Sequence, residues 1–263
     1  MFKKIISATL TVCLCVALAT TVAASQQVTT VPPPIDDTDY SLVRPEWDLG
    51  RTSVGGQEAT AEDMAKSVLH NKSNSAKAAA AYYDAELSVS DAGIWEALSP
   101  FYYYAQELDY SCGAASVRMA MRYLTGSAYS ESVIRSGCNT TSTNGTTIVN
   151  MKTYINSIQS QNAYYDKYGA SKSTMKDDLY AGIVTYGAPP IIGLKEVLSN
   201  GWPYNLSAHI TVIHSVASDK SSVYICDPWT GYIVGSGNTY TTYSKTTDTL
   251  YTAYSLINIG YMF

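Results

Sequence analysis

The order in which hydrophobic periods follow one another does most to limit what this chain can fold into. Across 113–124, Val117, Met121 and Leu124 fall at i, i+4 and i+7, the spacing of one helical face, and Gly126 ends the run. Residues 148–158 repeat the pattern, with Ile148, Met151, Ile155 and Ile158 on one face, and 174–186 reads as a third helix. Gly187-Ala188-Pro189-Pro190 then makes a turn. Beyond it the period changes. Ile191-Ile192-Gly193-Leu194, residues 209–216, residues 222–227, a Tyr- and Thr-rich stretch near Tyr240, and residues 251–259 all read as strands. Helices first and strands later predict an α+β fold, and there is no internal repeat.

The N-terminal part has a different texture. Lys3 and Lys4 precede an apolar stretch over 5–22, and Val22-Ala23-Ala24 sets small residues where signal peptidase cuts, which predicts a signal peptide over 1–24 and a secreted product. The stretch is interrupted by Ser and Thr and is marginal for a membrane span, so no stable span is expected once it is removed. From 25 to about 59 the chain is rich in Pro, Thr, Gly and acidic residues, with no period. Thr60-Ala61-Glu62-Asp63 looks like a helix N-terminal box, followed by polar helices to about 70 and over 75–87. Residues 25–98 are thus an extended linker with a helical prosegment or N-terminal subdomain, and 99–263 form the main domain.

Net charge is −5 with pI near 5.1, and no basic run is present, so neither nucleic acid nor an anionic membrane is expected as a partner. Cys13 and Cys15 leave with the signal. That leaves Cys112, Cys138 and Cys226, an odd number in an oxidising compartment, so at least one thiol stays free. Whether Cys138 and Cys226 pair is open.

One segment carries chemistry. In Gln106-Glu107-Leu108-Asp109-Tyr110-Ser111-Cys112-Gly113, a cysteine stands at a helix start, where unsatisfied N–H groups and the positive dipole end favour a thiolate. Gly113 allows a substrate backbone to come close. Gln106 can return through the loop so that its amide and the Cys112 N–H point at one oxygen. A thiolate nucleophile needs an imidazole. His70 lies in the polar N-terminal helices, which leaves His209 and His214 on one strand and, five apart, on opposite faces. An odd-length hairpin loop after Val216 would pair His209 with Asp227, Thr211 with Ile225 and Val212 with Tyr224. An even-length loop would favour His214. In the first register Asp227 orients the base, at a strand end marked by Pro228.

Gln106…Cys112-Gly113-Ala114-Ala115-Ser116, the turn and strand at 187–192, His209-Ile210-Thr211-Val212 and Tyr224-Ile225-Cys226-Asp227-Pro228-Trp229 together resemble the bacteriocin-processing, double-glycine peptidase family and its stand-alone secreted relatives. The resemblance spans about 99–235. It implies a papain-like cysteine peptidase acting on a peptide or protein, with Cys112, His209 and Asp227 as triad and Gln106 in the oxyanion hole, and it implies no cofactor. The sequence shows no transmembrane bundle of a transporter, so a leader-export role is not expected. The same triad suits an acyl transferase or a cell-wall-peptide amidase, and the Tyr-rich surface would also suit a non-catalytic secreted binding protein. No His, Cys or carboxylate spacing reads as a metal site. Val54-Gly55-Gly56 suggests a self-processing site, but its upstream residues do not look like a leader, and it reads as linker.

Overall fold

The computed structural model describes residues 35–36, 55–65, 94–203, 205–229 and 242–263. The signal peptide, the helix expected over 75–87, and the stretch around Tyr240 up to residue 241 lie outside the described residues. Two layers form the fold, a group of helices followed by a mainly antiparallel sheet, as the order of periods predicts.

Helix α1 (Cys112–Thr125) buries Val117, Met121 and Leu124 and stops at Gly126, whose φ of 69° is the left-handed cap that glycine adopts without steric cost. Helix α2 (Glu131–Gly137), absent from the sequence reading, packs beside it. Helix α3 (Ile148–Ile158) has the bounds its apolar face predicts. Helix α4 (Lys172–Tyr180) continues into a π-helical turn over Ala181–Thr185, so the third helix loosens before the predicted turn at Gly187.

The strands are β1 (Ile35–Asp36), β2 (Trp95–Ala97), β3 (Tyr102–Tyr103), β4 (Asp166–Lys167), β5 (Ile191–Glu196), β6 (Leu206–Ala217), β7 (Ser222–Cys226), β8 (Thr242–Thr246) and β9 (Tyr261–Met262). β1 and β3 form a small parallel pair. The others make one sheet in the order β4-β9-β5-β6-β7-β8, with β2 pairing the far end of β6. The sheet therefore begins at Trp95, ahead of the dense apolar segment. The strand expected over 251–259 is not formed. Residues 251–255 belong instead to helix α5 (Thr247–Ser255), because the Thr246 side chain caps it and Leu250, Ala253 and Tyr254 fall on one buried face packed on β5, and 256–259 form the turn that follows. The chain returns to the sheet only at β9.

Helix α1 lies on β6, and the Ser116 hydroxyl donates to the Ile210 carbonyl at 3.2 Å. Residue 113 has no side chain, which lets the helix start close in on its neighbours: a Cβ there would sit 3.2 Å from Ile210 Cδ1 of β6, 2.3 Å from Thr146 Cγ2 and 3.0 Å from Met151 Sδ of α3. Truncating a fully buried side chain of this layer such as Met121 to alanine would cost about 2–5 kcal/mol. The helical half is also tied to the sheet by a buried ion pair, Lys152 of α3 to Asp166 of β4 at 2.6 Å. Among the described residues no helix is long and apolar enough to cross a membrane.

Candidate active site

Helices α2, α3, α4 and α5 each start at a Ser or Thr whose side chain accepts a hydrogen bond from the first turn. Helix α1 does not. Its N-cap residue, Ser111, instead turns back, accepting from the Leu108 N–H at 3.0 Å and donating to the Leu108 carbonyl at 2.9 Å. The N–H groups of the first turn are thus left without a side-chain cap at the place where Cys112 stands, fully buried and free of any disulfide. Cys138 and Cys226 are free buried thiols as well, with burial pushing both upward in pKa.

His209 comes to the site from β6. The register differs from the odd-loop expectation: Val216 pairs with Val223 and Ser215 with Tyr224, so the intervening residues 217–222 are even in number, the case that favours His214. A bulge between Ile213 and Ser215 then shifts the pairing to Ile213 with Ile225 and Val212 with Cys226. One extra residue reverses the face on which everything beyond it lies. Asp227 therefore falls diagonally across from His209 on the same face, and His214 is turned into the core. There His214 stacks on Phe101 with ring centroids 5.6 Å apart, and burial lowers its pKa to about 4, so the ring is neutral.

His209 Nε2 is 2.7 Å from Asp227 Oδ1, and both side chains are fully buried. The carboxylate is held on both oxygens. Oδ1 also accepts the Trp229 N–H at 2.9 Å, and Oδ2 accepts the Tyr243 hydroxyl at 2.7 Å. Burial works against the imidazolium, but the charges of Asp227 and Glu196 outweigh it, and with a smaller contribution from the Cys112 thiol they raise the pKa of His209 well above its usual value. Nδ1 is the ring nitrogen not taken by Asp227. No contact of full hydrogen-bond geometry reaches it, so the thiol–imidazole contact is looser than the imidazole–carboxylate one.

Gln106 is placed by its N–H donating to the Pro228 carbonyl at 2.9 Å, next to Asp227. Its side-chain Nε2 donates to the Leu108 carbonyl at 2.7 Å, a partner that only a donor can face and that fixes which way the amide points. The second Nε2 hydrogen is not used by that bond. The loop between Gln106 and Cys112 is anchored from α2, where Glu131 accepts the Glu107 N–H at 2.9 Å.

Glu196 and Tyr243 were not found from sequence. Glu196 is fully buried with neither carboxylate oxygen hydrogen-bonded, and burial followed by the charge of Asp227 pushes its pKa well above the carboxylate range, against His209 and Lys245. The available signal was the alternation at the end of β5, where Lys195 faces out and Glu196 therefore faces in. Tyr243 gave none, being one of many tyrosines. Glu196, His209 and Asp227 bring their ligand atoms within 4.8 Å of one another, a cluster that linear spacing does not reveal. His209 Nε2 and Asp227 Oδ1 are spent on each other, which makes the group a shared-proton cluster rather than an open coordination set.

A cysteine at an uncapped helix start, lodged against a sheet that supplies histidine and aspartate, defines the papain-like cysteine-peptidase class of fold. The sequence pattern of the Peptidase_C39 like family matches residues 99–255, and the chain belongs to that family. Among solved structures, the peptidase domain of Streptococcus ComA, a bi-functional ABC transporter involved in a quorum sensing pathway, is similar at 17% identity and a TM-score of 0.40, over 60% of this chain and 93% of that one. No curated protein matches the chain.

Proposed function

We propose that the chain is a secreted cysteine peptidase that hydrolyses peptide bonds with Cys112 as nucleophile, His209 as base and acid, Asp227 as the group orienting His209, and Gln106 as a donor to the oxyanion. The observation that carries this reading is the 2.7 Å contact of His209 Nε2 with a doubly anchored Asp227. It fixes the ring and leaves Nδ1 for the thiol at the start of α1. The thiolate attacks the amide carbonyl, and the oxygen that gains charge is met by the Cys112 N–H and the spare Gln106 Nε2 hydrogen. His209 gives its proton to the leaving amine, and water then cleaves the thioester to release the acid and restore the thiol. Secretion rests on the pattern of residues 1–24.

The test compares iodoacetamide alkylation of Cys112, located by peptide mapping, in the wild type and in His209→Gln, together with hydrolysis of a mixed peptide substrate. Loss of the base should slow alkylation by about 100-fold, and Cys112→Ala should end hydrolysis. Equal alkylation rates with and without His209 would remove the basis of the proposal.

A further inference from the structure

The glycine pair read as linker is not loose. Gly55 and Gly56 are buried, and residues 55–57 run through the gap between the helical half and the sheet, with two hydrogen bonds to the first and one to the second. On the helical side the Thr146 N–H donates to the Gly55 carbonyl at 3.0 Å and the Gln57 N–H donates to the Thr146 carbonyl at 3.0 Å. Thr146 is the residue whose methyl group lies against Gly113, beside Cys112. On the sheet side the Gly56 N–H donates at 3.2 Å to the carbonyl of Ala208, the residue before His209.

On the side of β6 that faces the gap, the Ser116 hydroxyl takes the Ile210 carbonyl and Gly56 takes that of Ala208. β5 takes one edge of this stretch, whereas β7 begins its pairing on the other edge only at Val212. In an extended backbone the N–H and C=O of one residue point to the same side. The Gly56 carbonyl therefore faces the wall that carries His209, as its N–H does. The passage also admits little beyond glycine: a Cβ at 56 would sit 2.8 Å from Ile259 Cδ1 and 3.2 Å from Ile210 Cγ1, and both of these side chains are fully buried. Downstream, the Ala59 N–H donates to the Asn258 carbonyl at 2.9 Å, and Thr60 and Asp63 cap each other at the start of the helical turn over 61–65, as their spacing predicts.

We propose that residues 55–57 are an intramolecular occupant of the substrate cleft, bridged in parallel to Thr146 and hydrogen-bonded to the Ala208 carbonyl beside His209, so that the folded full chain is closed to peptides until this segment is displaced. The proposal rests on the reading of the cleft as a peptidase site. A substrate acylating Cys112 must bring its own backbone between Thr146 and Ala208, and main-chain hydrogen bonding to a strand edge is how an extended peptide gains affinity there.

The test uses the full chain, checked by intact mass, as wild type, Gly56→Val and Gln57→Pro. The valine pushes against Ile259, and the proline removes the N–H given to Thr146. Cys112 is alkylated in parallel with iodoacetamide and with a chloromethyl ketone of a small-side-chain tripeptide. The ratio of peptide-reagent rate to iodoacetamide rate should rise about tenfold or more in both variants, which is the factor by which an occupant closed nine-tenths of the time reduces the competent fraction. The same ratio in all three proteins overturns the proposal. A second readout does not need the thiol: in Cys112→Ala the Gly56 and Gln57 amides should be protected from hydrogen exchange, and exchange at the rate of an unstructured chain overturns the occupancy. If Cys112 reacts with neither reagent, the peptidase reading fails while hydrogen exchange still decides the occupancy.

Discussion

Replacing Glu131 by glutamine should change how stability depends on pH. The Glu131 side chain has no exposure, its Oε2 accepts the Glu107 N–H, and its nearest cation, the Arg135 Nε, is 3.7 Å away. Burial raises the carboxyl pKa from 4.5 to about 7, against the neighbouring Ser111 hydroxyl and with a smaller upward push from Glu107. Between these values the folded chain holds a proton that the unfolded chain has released, so the wild type loses stability as pH rises through the window. Above about pH 7 the loss levels off near 3 kcal/mol, the separation of the two pKa values at about 1.4 kcal/mol per unit. Glutamine has no proton to lose and keeps an oxygen for the Glu107 N–H. Urea unfolding of both proteins at about pH 5 and about pH 8 should therefore show the stability of Glu131→Gln relative to wild type improving by about 2–3 kcal/mol at the higher pH, at constant m-value. Parallel pH dependences in the two proteins would refute the account of a protonated, buried Glu131 behind the Gln106–Cys112 loop.

Glu196→Gln removes one of the two carboxyl groups that raise His209, so the ring should titrate at lower pH than in the wild type while Asp227 still supports it; the imidazole proton signals in an NMR titration report this, and an unchanged midpoint would contradict the coupling. Lys152→Met leaves the Asp166 carboxylate buried without its cation and should cost about 3–5 kcal/mol in chemical denaturation, most of it recovered in Lys152→Met/Asp166→Asn, where the neutral amide can still accept from Tyr168. Equal stability of the single and double variants would show that the pair is not what holds α3 to β4.

How much was legible depended on how local the cause was. The apolar face of α3 and the left-handed cap after α1 are properties of short windows, and both elements stand where their residues put them. Residues 251–255 are a case where local preference misled: Thr and Tyr favour strands, but the Thr246 cap and the burial of Leu250 and Tyr254 against β5 decide for a helix. His209 and Asp227 were brought together from strand alternation, but by a register that the chain does not use. Glu196 needs the folded sheet to show that the inward side at the end of β5 faces Asp227 and not a core of apolar groups. The cleft position of Gly55 and Gly56 is a contact between segments about 90 and 150 residues apart in the chain, beyond the reach of any reading based on neighbouring residues.

The bulge at His214 gives the hairpin a second determinant of which histidine meets Asp227. In a plain hairpin the number of residues in the connection at 217–222 would alone determine which histidine meets Asp227. With one residue of offset stored inside the strand, next to buried aromatic rings, the choice is set by the bulge and the connection together. The connection, held at its ends by the Ala217 pairing with Trp95 and the Ser222 pairing with Thr246, can change in length only by twos, and the spacing from His214 to His209 cannot change by one either.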